Sequence, residues 1–116
     1  MSDVKVIIGG TLEDDAADFI DAWKRRERGE AVAARRVLAF ESWDGLSSVL
    51  TNERYRLLRH VHCHPGLSIS ALARALDRQY SRVHIDVTAL EGAGLIQRID
   101  GGLHATADTI TAEIRL

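Results

Sequence analysis

Residues 67–96 read LSISALARALDRQYSRVHIDVTALEGAGLI, and the reading of this stretch decides the fold. Ser68 stands where a helix cap is needed. Ile69, Leu72, Ala73 and Leu76 then recur at three- and four-residue spacing, the pattern of one buried helix face. Asp77-Arg78-Gln79-Tyr80 makes the turn, and a further helix is expected from about Tyr80 to Ala93, burying Val83, Val87 and Leu90. Gly94 ends it, because a residue without Cβ leaves a helix through a left-handed backbone without steric cost. Leu95 to Ile99 follows as a strand, Asp100-Gly101-Gly102 as a tight hairpin turn, and Leu103 to Thr106 as the returning strand. Just upstream, Thr51 caps a helix that carries Glu53 in its first turn and Tyr55, Leu58 and Val61 as its buried stripe. Pro65-Gly66 ends that helix.

Three helices followed by a β-hairpin, with a short turn between the second and third helices, is the order of a winged helix-turn-helix. The segment from Leu67 to Leu76, followed by Val83, Val87, Leu90-Glu91 and Gly94-Leu95-Ile96, resembles the MarR/ArsR-like winged-helix regulators of prokaryotes. The Leu-Glu-x-x-Gly-Leu-Ile phrase at the junction of helix and wing is its most specific part, and the resemblance covers about 50 of the 116 residues. The one departure is Asp77, where such a helix usually ends on glycine; aspartate tolerates the left-handed conformation. The resemblance implies a small transcriptional regulator, in the main a repressor, that binds double-stranded DNA as a homodimer.

If the Tyr80 helix buries Val83, Val87 and Leu90, then Ser81, Ile85 and Thr88 lie on its opposite side, flanked by Arg82 and His84. The exposed N-terminal half of such a helix enters the major groove. Ser81 and Thr88 carry hydroxyls for base edges, Arg82 suits guanine or phosphate, and Ile85 suits a thymine methyl. Asp86 stands four residues after Arg82 and is expected to pair with it and orient it. Arg78, Tyr80 and Arg98 are the candidate phosphate contacts, Arg98 from the wing.

The first half, residues 1–50, reads as a strand–helix–strand scaffold and a candidate dimerisation element. Asp3 to Ile8 is the first strand. Thr11 opens a helix with acids in its first turn and an apolar stripe of Leu12, Ala16, Phe19, Ile20 and Trp23, ended by Gly29. Arg36 to Glu41 is a second strand, and Ser42 to Leu50 contains a short helix whose Trp43, Leu46 and Leu50 share a core-facing side. Residues 107–116 hold a C-terminal strand that alternates from Ile110 to Leu116. It is expected to pair with Val4–Ile8, within one chain or between two. The fold class is therefore α+β, mainly helical.

His60, His62, Cys63 and His64 cluster where the Thr51 helix ends, and His60 and His64 at i, i+4 could share a metal ion. The plainer reading is a solvent-facing, histidine-rich helix end, because structural sites need three or four convergent ligands. No nucleophile–base–acid spacing, cofactor motif or phosphate loop is recognisable, so the chain reads as a binding protein rather than an enzyme.

Composition fits this reading. The net charge is −2, yet residues 1–50 carry ten acids against seven Lys/Arg, whereas residues 51–98 carry four acids against seven arginines. Positive charge thus gathers where the DNA contact is expected. One cysteine and one proline fit a reducing cytoplasm, and no apolar run reaches membrane-spanning length. The rival reading is a winged-helix protein-interaction module, such as the antitoxin-like component of a two-protein system. It gains if Arg78, Arg82 and Arg98 turn out to be paired with acids of their own chain.

Overall fold

Hydroxyl side chains start three of the helices. Ser42, Thr51 and Ser68 each accept a backbone N–H from three residues ahead, at 3.2, 3.2 and 3.1 Å, so each satisfies a donor that a helix start leaves unpaired. The computed structural model describes residues 3–9 and 35–116, and their fold is α+β. In chain order the elements are β1 (Asp3–Ile8), β2 (Arg35–Phe40), α1 (Trp43–Val49), α2 (Asn52–Cys63), α3 (Ile69–Leu76), α4 (Tyr80–Gly92), β3 (Ile96–Ile99), β4 (Gly102–Ala105) and β5 (Thr109–Ile114). The helix expected over residues 11–29 lies outside the described residues.

The corners follow from backbone chemistry. α3 ends on Asp77 at φ 52°, ψ 50°. The Asp77 N–H bonds the Arg74 carbonyl and the Arg78 N–H bonds that of Ala73, the paired bonds of a Schellman stop. The same pair recurs at the end of α4, where Gly94 has φ 79° and the Gly94 and Leu95 N–H groups bond the carbonyls of Glu91 and Leu90. β3 and β4 are antiparallel, with Ile99 opposite Gly102. Asp100 and Gly101, both at positive φ, form the two-residue loop that matches strand twist. Leu67 makes an isolated antiparallel bridge to Leu103, which ties the chain ahead of α3 to the hairpin.

The second sheet is parallel, in the order β2-β1-β5. β1 is its centre: Val4 faces Arg36 and Ile110, Val6 faces Leu38 and Ala112, and Ile8 faces Phe40 and Ile114. The C-terminal strand therefore pairs with β1 inside one chain. Val4, Val6 and Ile8 share one core with Leu57, Val61, Leu72, Val83, Val87, Leu90 and Leu103, so the sheet face and the helical unit bury each other. Arg36 ties them at the rim: it donates 2.7 Å to the Gly94 carbonyl and also to the Thr106 hydroxyl. Among the described residues, no helix is long and apolar enough to cross a membrane.

Three side-chain expectations are corrected. Tyr55 is 47% exposed, whereas Leu57 is fully buried beside Leu58 and Val61; the inward stripe of α2 runs through Leu57. Trp43 is 58% exposed: α1 buries none of its residues fully, and only Leu46 and Leu50 of the expected face pack against the core. Asp86 does not pair with Arg82. It is 9% exposed and turned inward to Arg54 and Arg78.

Candidate nucleic-acid interface

α4 divides its side chains sharply. Val83, Asp86, Val87 and Leu90 are buried, while Tyr80, Ser81, Arg82, His84, Ile85 and Thr88 are all exposed. Ile85 is the most open of the large apolar side chains on this helix at 61%, kept in water by the helix phase rather than drawn into the core. The six exposed residues that the sequence marks on this helix thus share one side of it. Arg82 makes no hydrogen bond or ion pair among the described residues. The Thr88 hydroxyl donates 2.8 Å to the His84 carbonyl, which leaves its lone pairs free to accept. The His84 ring lies 6.0 Å from that of Tyr80.

The other two candidates are held by carboxylates. Arg98, on the hairpin, grips Glu91 of α4 with Nη2 at 2.8 Å and Nε at 3.2 Å from both oxygens. Both partners are substantially exposed, so water screens the pair and it contributes little to stability. Arg78, in the α3–α4 turn, has Nη2 2.9 Å from Asp86 Oδ2 and Nε 3.8 Å from Glu53.

Asp86 organises the interior of this corner. Its Oδ1 accepts Arg54 Nε at 3.1 Å, and Arg54 Nη1 donates to the carbonyls of Ser48 and Val49 at 3.0 and 3.1 Å. One arginine thus closes the end of α1 and neutralises a buried acid on α4. Sequence reasoning missed Arg54, because its partners stand far along the chain and no local spacing joins them.

Ser70, Ala73, Arg74, Asp77, Arg78, Gln79 and Tyr80 line an open groove at the α3–α4 corner. Arg74 is exposed and sits one helical turn before Arg78. That spacing is a signal that could have added it to the candidates. The first turn of α4 receives no side-chain cap from Gln79.

The histidine cluster takes a different form. The His60 and His64 rings stack at 4.3 Å, His64 Nδ1 lies 3.3 Å from the His60 carbonyl, and His62 pairs with Asp108 at 3.0 Å. Cys63 is a free, exposed thiol. Among the described residues no group of three or more His, Cys, Asp or Glu comes together that could hold a metal ion.

A family model described as HVO_A0114 matches residues 49–112, more than half of the chain, from the end of α1 into β5. No curated protein and no solved structure matches.

Proposed function

We propose that this chain, which belongs to the HVO_A0114 family, is a sequence-specific double-stranded DNA-binding regulator built on a winged helix-turn-helix over residues 51–106. In this reading α3 and α4 are the helix-turn-helix, α4 is the recognition helix, and the β3–β4 hairpin is the wing. The observation that carries it is the outward side of α4: Tyr80, Ser81, Arg82, His84, Ile85 and Thr88 exposed together, with an arginine held by no acid and an isoleucine among them. These are the chemistries that base edges and thymine methyls meet in the major groove. A homodimer would double the phosphate contacts and read a two-fold site, and occupancy of a promoter would repress by exclusion.

The test is titration of a labelled mixed-sequence duplex at several salt concentrations, with wild type and an Arg82→Ala variant. Binding should weaken steeply with salt, and the log–log slope should fall by about 0.9 for each phosphate the variant no longer neutralises. Selection from random duplexes should then yield one preferred sequence for wild type. A folded protein that binds no duplex at about 50 mM salt, where phosphate contacts hold far more tightly than at about 200 mM, would refute the reading.

A second reading, a winged-helix protein-interaction module, draws on a specific observation: Arg78 and Arg98 are paired with Asp86 and Glu91 of their own chain. It predicts no duplex binding and a stable complex with a protein partner.

A further inference from the structure

The two arginines on Asp86 are held very differently. Arg54 is fixed by three hydrogen bonds, one to Asp86 Oδ1 and two to backbone carbonyls. Arg78 is held by charge alone. Its Nη2 lies 2.9 Å from Asp86 Oδ2, yet that oxygen has no hydrogen bond in line and Arg78 Nη1 has no acceptor at all. The remaining partner, Glu53, is 3.8 Å away and 56% exposed. Arg78 also lines the groove at the α3–α4 corner beside Arg74 and Gln79, and 20% of its side chain already reaches water.

Releasing Arg78 would therefore cost the interior little. A buried carboxylate stripped of its only cation would be strongly destabilising, but Asp86 keeps Arg54. The guanidinium, with a donor now idle, gains a charge-assisted bond wherever an anionic oxygen enters the groove. Two arginines beside one buried acid thus form an asymmetric set, with one structural member and one that can be released.

We infer that Arg78 is a held phosphate ligand: Asp86 keeps it at the inner wall of the α3–α4 corner, and a phosphodiester entering the groove beside Arg74 takes it over. The inference rests on the DNA-binding reading and adds a partner-dependent exchange to it. Asp86 acts as the internal competitor, so a duplex that takes over Arg78 binds less tightly than it would if that arginine were unpaired.

The experiment measures duplex affinity against salt for the full chain and four variants, Arg78→Gln, Arg78→Lys, Asp86→Asn and Asp86→Asn/Arg78→Gln, each checked for folding by thermal melt. R78Q should lower the log–log slope by about 0.9, the effect of one phosphate left unneutralised, and R78K should restore it. D86N should raise affinity about three- to tenfold by removing the competing charge, and the increase should largely vanish in the double variant. Should D86N fail to fold, R78Q against R78K still decides whether Arg78 takes a phosphate, without which the exchange falls. A wild-type slope in R78Q, or an undiminished D86N effect in the double variant, overturns the exchange while the DNA reading stands. A folded wild type that binds no duplex overturns both.

Discussion

Asp77 and Gly94 hold the same backbone conformation at the ends of successive helices, and only one of them is the residue that conformation favours. A left-handed residue with a Cβ costs about 1–2 kcal/mol, partly offset by the larger entropy glycine loses on folding. Asp77→Gly should therefore raise stability by about 0.5–1 kcal/mol, seen as a higher urea midpoint with an unchanged m-value. Gly94→Ala should cost about 1–2 kcal/mol by the same measurement, and its new methyl would stand 3.4 Å from Arg36 Nη1, against the tie between sheet and corner. Both positions were legible in the sequence, because a helix stop is written in adjacent residues. Asp86 was not: its partners are Arg54 and Arg78, and a helical wheel offers only Arg82. A wheel ranks neighbours along one helix, whereas a buried acid takes whatever cation the fold brings to it.

The helices show the same division between local and distant causes. Caps at Thr51 and Ser68, the hairpin at Asp100-Gly101 and the exposed side of α4 were all readable from spacing. The inward stripe of α2 was only half readable, since Tyr55, Leu57, Leu58 and Val61 all fit an amphipathic helix and the choice among them depends on what packs opposite. Leu57, fully buried, should lose about 2–5 kcal/mol as Leu57→Ala. Tyr55→Ala should change stability far less, by roughly 0.5 kcal/mol, as surface positions do. Equal losses in chemical denaturation would mean that Tyr55 is covered. α1 is the extreme case: seven residues with none fully buried, held by Ser42 at one end and by Arg54 at the other. In hydrogen exchange its amides should be the first to exchange among those of the described helices, because little apolar surface opposes its opening.

At the scale of the whole molecule, the sequence marked β1 and the C-terminal strand as partners but left open whether one chain or two supply them. Alternation says which side of a strand is apolar, and it carries no information about which neighbour completes the sheet. The structure seats β1 between β2 and β5, both parallel to it, with Val4, Val6 and Ile8 in the core of the helical unit. Amides of Val4 to Ile8 should therefore exchange more slowly than those of Ile110 to Ile114, and a reversed order would place β1 at an edge. This arrangement also bears on how the chain reaches its folded state. The helices and the hairpin close through contacts between neighbours in sequence, which form quickly. β1 pairs with β2 at Arg35, but its other side must wait for Thr109, and parallel pairing over such a separation is intrinsically slow. During synthesis this strand, made well before β5, would keep one side of its apolar Val-x-Val-Ile-Ile segment unsheltered. The interval before β5 arrives is when this chain is most open to aggregation.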